Sequence, residues 1–350
     1  MTKKDIKSLT LVQLKQALLD MGEKPFRAVQ IYSWLHQKLV RSFAEMSNLS
    51  KELRERLSER FFLTALELVT VQESKLDGTR KYLFGLSDCN VVESVFMRYH
   101  HGNSVCISSQ VGCRMGCRFC ASTLDGLERC LLPSEMLDQI YAITRHTGER
   151  ISNVVVMGTG EPLDNYDNLL CFLTLLTDEN GLHISQRNIT VSTCGIVPNI
   201  RRLAQEKLQI TLALSLHATT DEKRRKLMPI ANKYPLKEVL AACADYFAQT
   251  GRRITFEYSL VGGVNDTDED ARELIAIASG MNCHVNLIPV NPIKERSFVE
   301  STREQVLAFQ QRLERGRIPV TVRREMGRDI DGACGQLRRR HLGEEKNIKG

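Results

Sequence analysis

The amino-acid sequence predicts an α/β fold, a partial parallel barrel of six β/α units preceded by a small helical domain. Leucines recur at helical spacing near the N-terminus, and short β-branched runs alternate with longer amphipathic stretches from about residue 91. Six of these runs are roughly evenly spaced along the chain. Strands that alternate with helices are typical of βαβ units and a parallel sheet.

Residues 1–90 are predicted to form the helical domain. Two sets of apolar residues recur at helical spacing, one on each side of a break at Gly22 and Pro25: Leu11, Leu14 and Leu18, then Ile31, Trp34 and Leu35. We therefore expect a small helical module before the barrel.

Residues 91–328 are predicted to form the barrel core. Its six strand-like runs are VCISS, NVVVMG, NITVST, ITLALSL, ITFEYSLVGG and HVNLIPVN, and VTV at 320–322 is a possible seventh. Functional residues of a parallel barrel lie at the carboxyl ends of its strands, so we expect the site there. Residues 329–350 are predicted to be a Gly-flanked loop followed by a basic tail.

The composition is that of a globular protein with a modest basic excess. Of the 350 residues, 48 are Lys or Arg and 42 are Asp or Glu, which gives a net charge of +6 and is compatible with a polyanionic partner. No run approaches the ~18 apolar residues of a membrane span, and MTKKDIKSLTLVQLKQ does not resemble a signal peptide. We expect a cytoplasmic protein that does not enter a membrane.

The cysteines indicate metal chemistry. Eleven cysteines in a chain without a secretion signal favour metal or catalytic use over disulfides. Cys113, Cys117 and Cys120 lie within VGCRMGCRFCAS at C-x3-C-x2-C spacing. Three ligands leave one iron of an iron–sulfur cube open for a reactive ligand. A zinc site completed by Cys106 or Cys130 is the alternative that the spacing leaves open.

The cysteine spacing resembles the signature of the radical S-adenosylmethionine (SAM) superfamily, whose members are built on full or partial parallel barrels. Further stretches resemble the RlmN family of dual-specificity RNA adenine methyltransferases over essentially the whole chain. These stretches are CISSQVGCRMGCRFCAS, VVMGTGEPLDNYDN, ITVSTCG, SLHATTDEKRRKLMP, LIPVNP and GRDIDGACGQL. The resemblance extends to the N-terminal helical domain, which it implies is an RNA-binding accessory unit.

The resemblance implies the cofactors and their ligands. Cys113, Cys117 and Cys120 would ligate a [4Fe-4S] cluster, and two SAM molecules would be used in each turnover. The SAM contacts would come from residues at or just after predicted strands: Gly160, Glu161, Ser192, Ser215, Leu216, His217 and Asn291. From the residues alone, Gly160 also fits a plain turn, and His217 also fits a buried core histidine.

The resemblance also implies the catalytic residues. Cys334 would carry the methyl group, Cys106 would resolve a transient protein–RNA crosslink, and Glu93 would accept a proton. A radical route is needed because adenine C2 is electron-poor and attacks a sulfonium methyl poorly. The remaining cysteines are assigned no chemistry: Cys89, Cys130, Cys171, Cys194, Cys243 and Cys283.

The implied substrates are an adenosine of the 23S rRNA peptidyl transferase centre and the adenosine 3′ of the anticodon in tRNAs. The implied electron donor is a flavodoxin or ferredoxin, and we expect a monomer. Basic clusters Lys223–Lys226 and Arg338–Arg340 are the preferred RNA contacts. Two alternatives stay open: the related family that methylates C8 of the same ribosomal adenosine, and a non-catalytic, zinc-stapled RNA-binding protein.

Overall fold

The structure, a computed structural model, describes residues 3–290, 298–324, 326–330 and 335–349, with the backbone alone for 344–349. The strands are β1 (Lys4–Asp5), β2 (Phe61–Phe62), β3 (Glu67–Glu73), β4 (Arg80–Gly85), β5 (Val91–Tyr99), β6 (Gly102–Cys106), β7 (Gln110–Gly112), β8 (Leu127–Cys130), β9 (Ile151–Val156), β10 (Ile189–Thr193), β11 (Thr211–Ser215), β12 (Ile254–Leu260), β13 (Cys283–Pro289) and β14 (Val320–Val322). The helices are α1 (Leu11–Leu19), α2 (Phe26–His36), α3 (Lys51–Arg60), α4 (Pro133–Thr147), α5 (Tyr166–Thr177), α6 (Val197–Gln205), α7 (Asp221–Leu227), α8 (Leu236–Thr250), α9 (Asp268–Ser279), α10 (Arg303–Arg315) and α11 (Gln336–Lys349).

The central sheet contains ten strands in the order β14-β13-β12-β11-β10-β9-β6-β5-β4-β3. The pairs from β6 to β14 are parallel, and a helix follows each of β9 to β13 before the next strand. The strands are buried because helices cover them, which explains their β-branched runs. The predicted α/β fold with six parallel strands is confirmed, and the possible seventh strand is β14.

The segment between the N-terminal helices and the barrel differs from the prediction. The last of the N-terminal helices, α3, ends at Arg60, whereas residues up to 90 were expected to belong to the helical domain. Strands β3, β4 and β5 instead extend the sheet as an antiparallel meander. The pattern of β3 is hard to detect because its register shifts between Leu68 and Thr70 and because Leu68, Val69 and Val71 are exposed at the sheet edge.

Local signals set the ends of the helices. In α4, Pro133 occupies the first turn, and the Glu135 carboxylate accepts a hydrogen bond from the backbone N–H of Leu132 at 2.8 Å. Gly148 ends this helix with a φ of 68°. Among the described helices, none combines the length and apolar composition needed to cross a bilayer.

The N-terminal helices share one hydrophobic core with the barrel. The same cluster of buried side chains runs from Leu14 and Leu35 in the N-terminal helices to Leu313 in α10. A buried ion pair also joins the two parts, with the Lys7 Nζ 2.7 Å from the Asp138 carboxylate of α4. The N-terminal helices are therefore packed against the barrel as part of one body.

Candidate active site

A cavity of about 560 Å³ lies at the carboxyl ends of the parallel strands. Residues at or just beyond the ends of all seven parallel strands line it, so the sheet must curve around it as a partial barrel. Most of the predicted site residues are brought together on its wall: Cys106, Cys113, Cys117, Cys120, Gly160, Glu161, Ser192, Ser215 and His217. The volume is typical of a pocket for a small-molecule cofactor.

The cysteine loop, residues 113–120, is held at both ends. Its first end follows β7, which pairs with β8, and the Cys113 N–H donates to the carbonyl of Gly126 at 2.8 Å. Gly112 has a φ of 75°, and a Cβ on it would lie 2.0 Å from the Gly126 carbonyl oxygen. Further along, the Arg118 N–H donates to the carbonyl of Leu227 in α7 at 2.9 Å. Contacts within the protein therefore hold the loop at both ends.

The cysteine side chains form a donor set that suits a metal cluster. Burial, with smaller contributions from Glu161 and Cys120, raises the pKa of Cys113 to about 12. Burial and the two neighbouring loop thiols raise the pKa of Cys117 well above its usual value. Buried thiolates repel one another unless a cation compensates them, and metal binding deprotonates a thiol. The three cysteines therefore fit an iron–sulfur cluster.

The two thiols considered as a fourth zinc ligand have different surroundings. The Cys130 thiol on β8 accepts a hydrogen bond from the Gln110 side chain at 3.4 Å and is not part of the cavity wall. The Cys106 thiol ends β6 and lines the cavity. Within the described part of the chain, no three His, Cys, Asp or Glu side chains are grouped to hold a single metal ion.

Gly160 and Glu161 form the turn that follows β9. Gly160 has a φ of 108°, and a Cβ there would lie 2.8 Å from the backbone nitrogen of Gln110, so a tight turn explains this glycine. The Glu161 carboxylate accepts hydrogen bonds from the N–H groups of Cys194 at 2.8 Å and Leu163 at 3.1 Å. Burial raises the pKa of Glu161, and these hydrogen bonds oppose the shift.

The His217 ring is fixed in one tautomer. The backbone N–H of Ser259 donates to Nδ1 at 2.9 Å, so the ring proton is on Nε2. Burial, with a smaller contribution from Arg224, lowers the pKa of His217 to about 3. The ring also meets Phe119 edge-on at a centroid distance of 4.8 Å. His217 is therefore a buried, hydrogen-bonded histidine that also presents a neutral ring to the cavity wall.

Two further predicted SAM contacts occupy different positions. The hydroxyls of Ser192 and Ser215, at the ends of neighbouring strands, lie 3.5 Å apart on the cavity wall. Leu216 is fully buried and does not line the cavity, and its N–H donates to the carbonyl of Glu257 at 3.0 Å. The side chain of Leu216 therefore contributes packing.

Glu93 is buried but is not among the residues that line the cavity. Its carboxylate accepts hydrogen bonds from the backbone N–H groups of Gly335 and Arg338, both at 2.6 Å. The Nζ of Lys81 lies 3.0 Å away, and both side chains of this ion pair are buried. In this arrangement Glu93 anchors the start of α11, and its role as a proton acceptor stays a prediction.

Asn291 and Cys334 lie outside the described residues. Described residues near them in the chain do line the cavity: Val290 before Asn291, and Ile330 and Gln336 on either side of the segment that contains Cys334. The predicted roles of Asn291 and Cys334 remain predictions.

Several residues of the cavity wall were not predicted from the sequence. Glu257 and Ser259 line it from β12, and the Glu257 carboxylate accepts a hydrogen bond from the Asn286 side chain at 2.9 Å. Burial raises the pKa of Glu257. An acidic residue in the apolar run ITFEYSL, two positions from a serine on the same face, is the signal that could have identified them. Cys194, which was assigned no chemistry, also lines the cavity.

The two basic clusters that were predicted to contact RNA are only partly exposed to solvent. Within Lys223–Lys226, Arg224 is fully buried, and Lys223 pairs with Asp270 at 2.7 Å. In the C-terminal cluster, Arg338 is only 9% exposed. Arg323 and Arg324, which were not preferred, are exposed and line the cavity. The preference for Lys223–Lys226 as an RNA contact is therefore wrong for Arg224, because its charge is not accessible to a phosphate.

Comparison with known proteins identifies the family of the chain. Residues 4–63 match the family described as ribosomal RNA large subunit methyltransferase N-terminal domain, and residues 107–276 match the radical SAM superfamily. The chain is similar to proteins named probable dual-specificity RNA methyltransferase RlmN. That of Lachnospira eligens is 64% identical over 97% of both chains, and one from Clostridium perfringens is 54% identical over 99% of both.

A solved structure has the same fold. The crystal structure of a radical SAM methyltransferase from Sphaerobacter thermophilus matches with a TM-score of 0.91 and 42% identity, over 95% of this chain and 98% of that one. The sequence resemblance and the α/β fold are thereby confirmed. The chain belongs to the RlmN family of RNA methyltransferases within the radical SAM superfamily.

Proposed function

We propose that the protein methylates C2 of one adenosine in the peptidyl transferase centre of 23S rRNA and of the adenosine 3′ of the anticodon in tRNAs. The observation that carries this proposal is the cavity, whose wall combines the cysteine loop with the separate thiol of Cys106. The relatives' name, dual-specificity RNA methyltransferase, supports two kinds of RNA substrate.

The cavity wall would hold both cofactors. Cys113, Cys117 and Cys120 would ligate a [4Fe-4S] cluster, and SAM would lie against Gly160, Glu161, Ser192, Ser215, His217 and Asn291, whereas Leu216 would only pack behind them. Bound together, they would supply a methyl group and a one-electron route to a carbon radical, with two SAM molecules used per turnover. The Nε2 proton of His217 offers a fixed donor beside them.

Two cysteines outside the loop would handle the methyl group. Cys334 would carry it on sulfur and become joined through its carbon to C2 of the adenine. The Cys106 thiolate would then attack the sulfur of Cys334. The sulfur–sulfur bond would form as the sulfur–carbon bond breaks, and the carbon would keep the electron pair and take up a proton to become the methyl group of the released RNA. A reductant would restore both thiols before the next turnover. Burial of Cys106 on the cavity wall would keep solvent oxidants away from it.

Glu93 would accept the C2 proton of the adenine. A proton reaching its carboxylate would weaken the hydrogen bonds to Gly335 and Arg338 and the ion pair with Lys81. Proton transfer would then be accompanied by release of the anchored start of α11.

The RNA would approach over the rim of the cavity. Arg323 and Arg324 are exposed there and are suited to phosphate contacts, and the target base would enter the pocket. The N-terminal helical domain would add further RNA contacts. We also propose a flavodoxin or ferredoxin as the electron donor, a monomeric state and a cytoplasmic location.

Anaerobic reconstitution followed by reaction with each RNA tests the proposal. A 23S rRNA fragment and a tRNA are treated separately, and their nucleosides are analysed by mass spectrometry. We expect 2-methyladenosine from both. Cys106→Ala should accumulate a covalent protein–RNA adduct, whereas Cys334→Ala should form none. Cys89→Ala, an exposed cysteine away from the cavity, should behave as the wild type.

Three results would contradict the proposal. 8-Methyladenosine as the main product would place the activity with the C8 enzymes. A colourless protein with one zinc and no product would favour an RNA-binding role without catalysis. Free methylated RNA from Cys334→Ala would exclude that residue as the carrier.

A further inference from the structure

Arg224 is a fully buried cation that, among the described residues, has no anionic partner in contact. Its side chain donates to the carbonyls of Cys194 at 2.7 Å and Tyr234 at 3.4 Å. Its Nε is buried without a hydrogen-bond partner, and among the described residues no carboxylate oxygen lies within 4.0 Å of the guanidinium. A buried charge is costly unless something compensates it. The charge of Arg224 therefore needs an explanation.

Arg224 stands directly behind the wall of the cavity. Its helix, α7, contacts the cysteine loop through the hydrogen bond from Arg118 to Leu227. Cys117 and Cys194 line the cavity, whereas Arg224 does not. Gly195, with a φ of 103°, makes room, because a Cβ there would lie 3.2 Å from the guanidinium. Arg224 can thus act on the cavity through its field but cannot contact a ligand inside it.

The electrostatic partners of Arg224 are thiols. Burial lowers the pKa of Arg224, while Cys194 and Cys117, followed by Asp221, act in the opposite direction. Asp221 is already engaged, since its carboxylate accepts a hydrogen bond from the N–H of Leu236 at 2.7 Å. Glu161 adds negative charge on the other side of the Cys194 backbone. The negative charge that compensates Arg224 would therefore come from the cavity side, where a bound cluster would hold the loop thiols as thiolates.

We propose that Arg224 is the buried counter-charge of the iron–sulfur cluster and raises the reduction potential of that cluster. An iron–sulfur cube held by three thiolates is net anionic and gains one more negative charge on reduction. A fixed cation close by, in a region of low dielectric constant, stabilises the reduced state more than the oxidised state. The inference rests on the proposed binding of a cluster at the cysteine loop. Arg224 acts through the cluster and is a positioning residue.

Potentiometric titration of the reconstituted full-length protein tests this inference. The fraction of reduced cluster is followed by its electron paramagnetic resonance signal in three variants. In Arg224→Met, at the wild-type midpoint potential, we expect the ratio of reduced to oxidised cluster to fall on the order of tenfold. Arg224→Lys keeps the charge and should stay close to the wild type. Arg225→Met removes an exposed cation of the same helix and should leave the ratio unchanged.

The measurement separates the possible outcomes. If Arg224 only supports the structure through its two carbonyl contacts, Met and Lys variants lose stability alike, and each intact cluster keeps its wild-type potential. That result, or an unchanged ratio in an Arg224→Met protein with full iron content, would overturn the inference. If Arg224→Met does not fold, a wild-type potential in Arg224→Gln would overturn it in the same way. A wild-type protein that binds no iron would instead refute the proposed function.

Discussion

At the residue scale, Gly112 and Gly126 have similar backbone conformations but differ in the space around them. Both Gly112 and Gly126 have a φ near 75°, yet a Cβ on Gly112 would lie 2.0 Å from a backbone oxygen, whereas one on Gly126 would meet open space. Only Gly112 is therefore required sterically. It precedes Cys113, so this close contact sets where the cysteine loop begins.

Gly112→Ala should therefore disrupt metal binding more than folding. The left-handed φ costs about 1–2 kcal/mol for an L-residue, and the clash with the Gly126 carbonyl must displace the backbone before Cys113. We expect the iron content after reconstitution to fall several-fold. Gly126→Ala, the control, should cost about 1 kcal/mol and keep its iron. Full iron in Gly112→Ala would show that the loop adjusts freely.

At the element scale, α11 is attached to the sheet by a buried carboxylate. Glu93 of β5 accepts from the N–H groups at the start of this helix, where the unpaired donors and the helix dipole favour negative charge. The Arg338 guanidinium adds a hydrogen bond to the carbonyl of Val91 at 3.2 Å. Lys81 on β4 completes the arrangement, so two strands hold one helix.

Glu93→Gln should loosen α11. The change removes one partner of a buried ion pair, which costs about 3–5 kcal/mol, and it weakens both backbone hydrogen bonds. Hydrogen exchange at 336–343 should become faster while α4 stays protected. Glu73→Gln breaks a more exposed pair with Arg80 in the neighbouring hairpin and should change stability by less than about 1 kcal/mol. Unchanged exchange at 336–343 would contradict an anchoring role.

At the scale of the whole molecule, buried polar contacts fasten the N-terminal helices to the barrel. Asp138 of α4 pairs with Lys7 and accepts a hydrogen bond from the N–H of Leu66 at 2.7 Å. His36 of α2 bonds to the hydroxyl of Tyr141 at 2.8 Å. Because these contacts sit within one shared core, the two parts should unfold together.

Asp138→Asn should lower the melting temperature of the whole chain. It leaves the Lys7 ammonium buried and uncompensated, at a cost of about 3–5 kcal/mol. Calorimetry should show one transition, shifted downward. Glu55→Gln, which removes an exposed pair with Lys51, should shift it little. Two separate transitions would contradict a single cooperative body.

The sequence predicted the parts whose signals are local. The six parallel strands appear as short β-branched runs because their side chains are buried or half-buried, and the cysteine spacing is contained in one loop. The meander of β3 to β5 was missed because apolar residues such as Leu68 are exposed at its edge.

Other features of the site depend on contacts across long sequence distances. Arg224 looks like one cation in a solvated basic run until the fold buries it behind Cys194. Glu93 is joined to Gly335, 242 positions away, and no pattern within one strand can predict that contact. The position of Glu257 on the cavity wall depends on how the ends of seven strands come together around the cavity.

The Lys7–Asp138 pair limits how this chain can be recombined. A chimaera that takes its N-terminal helices from a relative must keep a cation at position 7 only together with an acid at 138, because Lys7 would otherwise be a buried cation that has lost the carboxylate it pairs with. The residues at positions 7 and 138 must therefore be exchanged together, and a relative suited to such a chimaera can be recognised by this pair of positions.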